Sequence, residues 1–487
     1  MKTIAIAILY ILVTSSLFAD WNEMQKLLAS EGSTLAHFGY SISISGDYAL
    51  IGAPNDNDDY GHSTGSAYII VRDGDDWSEQ EKLLAPDGAT EDRFGYSVSV
   101  TQDYAVIGAM HDDDDGYRSG SAYIFVRDGE TWSEQAKLNA SDGDIEDYFG
   151  AEVSIEGDYA LIGAPSDDDD GLSSGSAYIF YRNGNIWTEH AKLTSSEGDA
   201  SDYFGCSVSI EGDYAVIGAE GNNNFSGAAY IFARSGDTWS EQVKLTASDG
   251  AHGDSFGRSV SIEGDYAVIG AFHDDNDNGE DSGSVYIFAR SGDMWAEQAK
   301  LTPSNGAAYD FFGWSVSISE DYTIIGAVNS AYIFTRSGDI WAEQVELTAS
   351  DGALGVCFGL SVSLIEDYAL IGAFRDSDNG AYSGSAYIFN NDGLSAEDIP
   401  VEQIFSNLHT NYPNPFNPQT SIKFNVLENE EGIFTIYNVK GQEIVSEQFP
   451  SGSHNYMWNA EEQASGIYFY QLKTESTSQV KKMVLLK

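Results

Sequence analysis

The sequence predicts an all-β chain: a seven-bladed β-propeller followed by a small Ig-like β-sandwich. Phe-Gly pairs recur seven times, beginning at Phe38, Phe94, Phe149, Phe204, Phe256, Phe312 and Phe358. A tryptophan stands 17 residues before each pair (38 − 21 in the first unit), at Trp21, Trp77, Trp132, Trp187, Trp239, Trp295 and Trp341. Repeats of roughly 50 residues that carry several short strands indicate a propeller or a solenoid.

Each repeat contains four strand patterns, which repeat two illustrates. The alternation Ser97-Val98-Ser99-Val100 predicts a strand with two unlike faces, and Tyr104–Ile107 a second strand. Ser121–Phe125 predicts the third strand, Asp128-Gly129 a hairpin turn, and Trp132–Leu138 the fourth strand. Four antiparallel strands in each of seven repeats describe a seven-bladed propeller.

The two ends of the repeat region favour a closed ring. Repeat seven has its first three strands, ending at Ser385–Phe389, but no tryptophan follows. The missing pattern, Trp21–Leu27, precedes the first Phe-Gly pair. We therefore expect the N-terminal strand to complete the last blade, which removes two exposed sheet edges. A stacked solenoid would need capping repeats instead.

Composition limits the classes of partner. Aspartate and glutamate total 77 against 23 lysines and arginines, for a net charge of −54. Such a surface repels phosphates, so we expect neither nucleic acid nor anionic lipid as a partner.

Residues 1–19 have a basic start and a short apolar run, which predicts a secretory signal cut after Ala19. A membrane anchor is the alternative for this segment; no other stretch approaches the ~20 apolar residues of a span.

The pattern divides the chain into a signal peptide (1–19), a propeller (20–393), a polar acidic linker (394–407) and a C-terminal domain (408–487). The last domain carries several strand-like runs in about eighty residues, which favours a small β-sandwich. Cys206 and Cys357 lie in repeats that are not neighbours in a ring, so we expect no disulfide.

The repeats resemble FG-GAP repeats, the units of the integrin α-chain propeller. The matching residues are the Phe-Gly pairs, Ile-Gly-Ala-Pro at Ile51–Pro54 and Ile162–Pro165, and Gly-Ser-Ala-Tyr-Ile-Phe. The resemblance covers residues 20 to about 393, and it implies a seven-bladed fold and a binding or adhesive role, not an enzyme.

Family members carry a calcium loop between strands one and two, which here has shrunk to turns such as Glu156-Gly157-Asp158. We expect the turn aspartates to accept backbone N–H bonds instead; they are Asp47, Asp103, Asp158, Asp213, Asp265, Asp321 and Asp367.

The C-terminal domain resembles the type A sorting domain of the type IX secretion system. The matching blocks are Asn411–Pro418, Tyr437–Gln442, Ser465–Phe469 and Lys481–Leu485. The resemblance implies export, recognition by the outer-membrane secretion machinery, and a secreted or cell-surface location. An Ig-like module without a sorting role is the alternative.

Acidic loops between the second and third strands are the candidate cation sites. This connection and the one between blades lie on the same face of an up-and-down blade, so their carboxylates converge on one rim. Alternating Asp and Asn residues supply the oxygen ligands that calcium prefers, and the alternative is a solvated, repulsive surface. The predicted calcium ligands are Asp56, Asp58, Asp112, Asp114, Asp167, Asp169, Asp274, Asp275, Asp277, Asp376 and Asp378.

Binding is the function that these patterns favour. The partner would be a surface protein or a polysaccharide, engaged in an adhesive role through the acidic-loop face. Arginines recur at one position after strand three, as at Arg72 and Arg127, which predicts structural pairing with turn carboxylates. No non-repeating cluster of Arg, Tyr and Glu that could hold an acid sugar is visible along the chain, so we predict no catalytic residues. The alternatives are a structural spacer in an extracellular layer and a propeller glycosidase.

Overall fold

The computed structural model describes residues 20–57, 61–352, 355–392, 407–412, 414, 416–426, 430–474 and 478–487. The predicted signal peptide and nearly all of the predicted linker lie outside these residues. The chain forms two compact units, 1–393 and 394–487. Within the described residues, no helix has the length and apolar character of a membrane span.

Strands make up almost all regular structure of the first unit. After β1 (Asp20–Leu27), blades one and two contain β2 (Ile42–Ser45), β3 (Tyr48–Ala53), β4 (Ser66–Asp73), β5 (Asp76–Leu83), β6 (Ser97–Val100), β7 (Tyr104–Ala109), β8 (Ser121–Asp128) and β9 (Thr131–Leu138). Blades three and four contain β10 (Glu152–Glu156), β11 (Tyr159–Ala164), β12 (Ser176–Asn183), β13 (Ile186–Leu193), β14 (Val208–Glu211), β15 (Tyr214–Ala219), a helical turn α1 (Asn222–Phe225), β16 (Ala228–Ser235) and β17 (Thr238–Leu245). Blades five to seven contain β18 (Ser259–Glu263), β19 (Tyr266–Ala271), β20 (Ser284–Ser291), β21 (Met294–Leu301), β22 (Ser315–Ser319), β23 (Tyr322–Ala327), β24 (Ser330–Ser337), β25 (Ile340–Leu347), β26 (Phe358–Ile365), β27 (Tyr368–Ala373) and β28 (Ser385–Asp392).

These strands form seven four-stranded antiparallel sheets, so the predicted seven-bladed propeller is confirmed. The second and third strands of each blade are almost wholly buried, as the near-continuous apolar runs in β3 and β4 require. The inner strands contact those of the neighbouring blades: β2 contacts β6 and β26. Each core cluster therefore spans two blades, as Ile69 and Phe94 do when they pack together.

The Phe-Gly pair allows neighbouring blades to approach closely. Phe94 is fully buried between blades one and two. Gly95 has φ +88°, and a Cβ atom there would lie 2.2 Å from the carbonyl oxygen of Ser66 in the preceding blade. Any other residue would be strained in conformation and would also clash with backbone, which explains why glycine is required after the phenylalanine.

The last blade is closed by the N-terminal strand, as the sequence predicts. Its sheet has the order β1-β28-β27-β26, and Trp21 and Leu27 pair with Asn391 and Ala386. Glu23 of β1 accepts hydrogen bonds from the backbone N–H and the hydroxyl of Ser350, at 2.8 and 2.7 Å. Ser141 makes the same two bonds to Glu189 between blades two and three, so β1 reproduces the contacts of an ordinary fourth strand.

The face opposite the acidic loops carries arginine–aspartate pairs, which corrects one expectation. Six of the seven turn aspartates accept hydrogen bonds from the recurring arginines with their side chains, not from backbone N–H groups. In the last blade Asn391 takes the position of the arginine, and its side-chain amide donates to Asp367 at 3.5 Å. Arg127 donates to Asp103 at 2.8 Å, and its guanidinium lies 5.0 Å from the ring centre of Tyr48 in the preceding blade. The guanidinium reaches the carboxylate because the backbone N–H of Arg127 already bonds the Asp103 carbonyl. The predicted structural pairing of these arginines is confirmed.

The second unit is a two-sheet sandwich. One sheet has the order β29-β30-β33, and the other β32-β31-β34-β35. The strands are β29 (Asn407–Tyr412), β30 (Gln419–Val426), β31 (Gly432–Asn438), β32 (Glu443–Phe449), β33 (Gly452–Asn459), β34 (Gly466–Lys473) and β35 (Ser478–Leu485). Both sheets contribute to a single core, in which Phe424 stacks on Phe434 with ring centres 5.0 Å apart.

Candidate functional site

One face of the propeller gathers the acidic loops and the connections between blades, and we call it the loop face. Asp87 lies in the connection between blades one and two, and Asp112 in the acidic loop of blade two. The hydroxyl oxygen of Tyr123 lies 2.8 Å from an oxygen of each carboxylate, so the two connections meet. The predicted convergence of carboxylates on one rim is therefore present.

A lysine ammonium lies among the carboxylates of these loops. In blade two, Lys137 contacts Asp87 and Asp112 at 2.9 Å and Asp114 at 2.6 Å. Burial alone would lower the pKa of Lys137, but its bonds to these carboxylates raise that pKa above the ordinary value. The ammonium thus stays charged and balances the buried carboxylate of Asp112. We call this arrangement the lysine cluster of a blade.

The predicted calcium ligands divide into two groups by burial. The first aspartate of each loop is at most 3% exposed; this group comprises Asp56, Asp112, Asp167, Asp274 and Asp376. Each contacts the lysine of its blade, at 2.7–2.9 Å; these are Lys82, Lys137, Lys192, Lys300 and Lys26. The later aspartates are exposed: Asp114, Asp169, Asp275, Asp277 and Asp378. Asp58 lies outside the described residues.

The closing blade brings three carboxylates within metal-binding distance. Oxygen atoms of Asp351, Asp376 and Asp378 lie within 4.8 Å of one another. Lys26, on the N-terminal strand, contacts all three at 2.5–2.7 Å. A cation at this position would have to displace the ammonium. Calcium binding stays a prediction.

Blades four and six depart from the lysine cluster in different ways. Blade four has Asn222 in place of the buried aspartate, and Lys244 contacts only the exposed Glu197 among the described acids, at 3.1 Å. Blade six lacks the acidic loop, and Glu346 takes the position of the lysine. In blade six the lysine is thus lost together with the loop carboxylate that it would neutralise.

The centre of the loop face holds a pocket at the mouth of the propeller channel. Its volume is about 260 Å³. It opens on the loop face because Phe374, in its wall, lies between the end of β27 and the acidic loop that holds Asp376. Its walls include residues that stand one or two positions after a Phe-Gly pair, namely Tyr40, Tyr96, Glu152, Arg258, Trp314 and Leu360. We call it the channel pocket.

Glu152 interrupts a ring of hydrogen bonds around this channel. In the other six blades a serine begins the inner strand and donates its hydroxyl to a Phe-Gly glycine carbonyl of the next blade, as Ser97 does to Gly150 at 2.8 Å. The six serines are Ser41, Ser97, Ser207, Ser259, Ser315 and Ser361. Burial raises the pKa of Glu152 to about 7, although Arg258 opposes the shift. A half-buried carboxyl group thus replaces a structural hydroxyl.

Arg258 lines the same channel pocket as Glu152. Its Nε atom lies 3.7 Å from a carboxylate oxygen of Glu220, and its guanidinium lies 5.5 Å from the ring centre of Trp314. No residue in the described part of the chain forms a hydrogen bond with the side chain of Arg258 or Glu152. Both charged groups therefore keep hydrogen-bonding capacity for a ligand.

Aromatic rings form the remaining wall of the channel pocket. The rings of Tyr40 and Tyr96 lie 5.0 Å apart, and Phe374 packs edge-on against Tyr40 at 5.2 Å. Trp314 packs against Phe272 at 4.8 Å, which fixes the orientation of its indole. The pocket thus combines flat aromatic rings with two charged groups whose side chains make no hydrogen bond to other described residues.

The channel pocket brings Arg258, Glu152 and two tyrosines together, which the sequence analysis did not identify as a group. These residues lie far apart in sequence, and only the ring brings them together. The signal was present in an alignment of the repeats. The residue directly after Phe-Gly differs between repeats, as Tyr40, Arg258 and Trp314 show, although the residues on either side repeat. At the next position six repeats have serine, and Glu152 is the exception.

Comparison with known families agrees with this architecture. The Secretion system C-terminal sorting domain matches residues 410–486, which indicates secretion to the cell surface or outer layer and implies interaction with the type IX machinery. A comparison with curated proteins gives no match. The FG-GAP repeat matches at seven stretches: 21–70, 77–125, 132–180, 187–232, 239–288, 295–339 and 341–389. These stretches cover more than half of the residues, and the chain belongs to the FG-GAP repeat family.

Proposed function

We propose that this secreted or surface protein is a binding protein that engages its partner, in an adhesive role, through the loop face of the propeller. The observation that carries the proposal is the channel pocket, where Glu152 and Arg258 break the repeat and keep free hydrogen-bonding groups. In a repeat protein the same residue type recurs at each structural position, because every blade makes the same packing contacts. A residue that gives up a structural hydrogen bond, as Glu152 does, is better explained by a ligand.

The acidic rim gives the partner a preferred charge. Asp113, Asp115, Asp168 and Asp170 are exposed in the acidic loops of the loop face, and the whole chain carries a net charge of −54. A partner with basic or neutral surface is attracted or tolerated, whereas an acidic one is repelled. Calcium remains a further prediction for this rim, where exposed carboxylates such as Asp114 and Asp169 offer oxygen ligands.

Binding fits the pocket better than hydrolysis does. Glycoside hydrolysis uses two carboxyl groups on either side of the scissile bond. Glu152 is the one acidic residue among the described residues that line the channel pocket. The structural-spacer alternative predicts self-association of the purified protein without any ligand, which size-exclusion chromatography measures.

The test is a binding assay against immobilised matrix proteins and polysaccharides. The full chain is compared with a variant in which Asp113, Asp115, Asp168 and Asp170 are changed to Asn; the buried Asp112 and Asp167 are left intact to preserve the blades. We expect reduced association with a basic partner, and a smaller dependence of the rate on salt. Equal binding of a basic partner by the variant would show that the acidic rim does not contribute to the contact. Release of reducing sugar from a bound polysaccharide would instead support the glycosidase alternative.

A further inference from the structure

We propose that the channel pocket binds one neutral sugar ring, the terminal residue of a glycan. The inference rests on the proposed function, because it names the ligand class of the same face. It is argued from the size of the pocket, the chemistry of its walls and the balance of its charges.

The size of the channel pocket restricts the ligand. Its volume of about 260 Å³ lies just below the range of roughly 300–1,000 Å³ that is usual for small-molecule sites. A single sugar ring fits such a space, whereas a longer stretch of polymer does not. The inner strands of all seven blades surround the pocket, so a glycan enters by its end.

The walls of the pocket match both surfaces of a sugar. The rings of Tyr40, Tyr96 and Trp314 offer flat apolar faces to the C–H side of a pyranose. Glu152 accepts hydrogen bonds from hydroxyl groups, and Arg258 donates to them. A sugar hydroxyl can donate and accept at once, so vicinal hydroxyls satisfy the two side chains that lack hydrogen bonds within the described chain.

The charges of the pocket favour a neutral ligand. Arg258 is already opposed by Glu152 and by Glu220 at 3.7 Å, and the acidic loops lie on the same face of the propeller. An acid sugar would add a further negative charge to this rim. An amino sugar with an ammonium group would instead approach the Arg258 guanidinium. A neutral sugar avoids both repulsions.

The test is a titration of the full chain with monosaccharides, by saturation-transfer NMR and calorimetry. The probes are glucose, galactose, mannose, fucose, N-acetylglucosamine and N-acetylgalactosamine, with glucuronate and glucosamine as charged counterparts of glucose. We expect at least one neutral sugar to bind with Kd on the order of 1 mM, a value typical of a small polar ligand with few contacts. The charged counterparts should bind more weakly than glucose does.

The repeat supplies variants that are expected to fold. Glu152→Ser installs the residue that six other blades carry, and Trp314→Leu installs the residue of repeat seven, Leu360. Each should weaken sugar binding about tenfold or more, since each removes a hydrogen-bonding or stacking partner. The control is Glu211→Ser, which gives repeat four the residue of repeat one, Ser45, at the far end of the inner strand. It should leave sugar binding unchanged.

An oligosaccharide that ends in the bound sugar should bind as well as the free sugar, and one that holds it only in its interior should not. The inference is overturned if no neutral sugar binds, if Glu152→Ser binds the sugar as tightly as the original chain does, or if interior residues bind equally well. Binding of a protein partner to the loop face without any sugar binding would overturn this inference and leave the proposed function standing. Absence of every partner in the immobilised panel would count against the proposed function itself.

Discussion

Replacing Lys137 by methionine removes the ammonium from the lysine cluster of blade two and leaves its carboxylates in place. Asp112 is 3% exposed and loses an ion pair of 2.9 Å. Breaking a buried pair by removing one partner costs roughly 3–5 kcal/mol. The Lys137 side chain is 18% exposed and Tyr123 still donates to Asp112, so we expect a loss of about 2–3 kcal/mol.

Thermal unfolding measures this loss. Eight of the nine tryptophans lie in the propeller, with Trp458 alone in the second unit, so indole fluorescence follows the propeller. An unfolding entropy of about 2.1 cal/mol/K per residue, over the roughly 370 residues of the propeller, gives ~0.8 kcal/mol/K. The expected fall in Tm for Lys137→Met is therefore about 3–4 °C.

Lys244→Met is the matched control, because Lys244 lies at the same position of blade four but pairs with an exposed acid and, among the described residues, with no buried aspartate. It contacts Glu197, whose side chain is 70% exposed, so its removal should cost under ~1 kcal/mol, or about 1 °C. Equal losses for the two variants would refute the role that we assign to the buried charge. Adding Asp112→Asn to Lys137→Met should recover part of the stability, since the uncompensated buried charge is then gone.

Calcium provides a second readout of the same variant. Without the ammonium, the carboxylates of Asp87, Asp112 and Asp114 form a site with oxygen ligands only. Calcium at a hundredfold excess over Kd stabilises a folded protein by about 2.7 kcal/mol. We expect a calcium-dependent rise in the Tm of Lys137→Met that exceeds any rise in the original chain. An equal rise in both would mean that the cation binds elsewhere than at this lysine cluster.

Three further predictions follow from the blades and the tail. The propeller should lose stability as pH rises from about 4 through 7, because burial and the neighbouring Asp112 and Asp113 raise the pKa of Asp92 to about 7. The stability that protonated Asp92 contributes is complete below pH ~4 and falls by about 2–4 kcal/mol by pH 8. Chemical unfolding of Asp92→Asn should show a flatter dependence of stability on pH. Glu23→Ala removes both bonds to Ser350 and should lower stability by about 1–3 kcal/mol. Light scattering should also show more aggregation on heating, because a loosened β1 exposes the edge of β28. A loss of stability no larger than that of an exposed surface substitution would show that these two bonds do not hold the seam together. Deleting residues 408–487 should retain the protein in the periplasm, as fractionation would show, and normal secretion of the shortened chain would contradict the sorting role.

Much of the fold could be predicted because a propeller repeats its constraints. Every blade needs a glycine where the backbone of its neighbour approaches within contact, as at Gly95, and a tryptophan at a fixed distance. The period therefore determined the number of blades, and the displaced Trp21 strand predicted the closure. The hydrogen-bond donors to the exposed turn aspartates were predicted wrongly, as backbone N–H groups of the turn. A turn of three residues does not show that Arg127 donates to Asp103 from another strand.

The sequence by itself determined the seven-bladed ring, its closure by the N-terminal strand, its acidic loops and its C-terminal sorting domain. Each of these features appears in the sequence as a local pattern or as a period of the repeats. Only the tertiary structure decided what lies between the carboxylates and what lies at the centre. Lys137 comes 25 residues after Asp112 (137 − 112), and the hairpin geometry of the blade brings them to 2.9 Å. Glu152 and Arg258 belong to different blades, and the closed ring brings both to the same pocket. Contacts across blades depend on ring closure, and no local pattern encodes them.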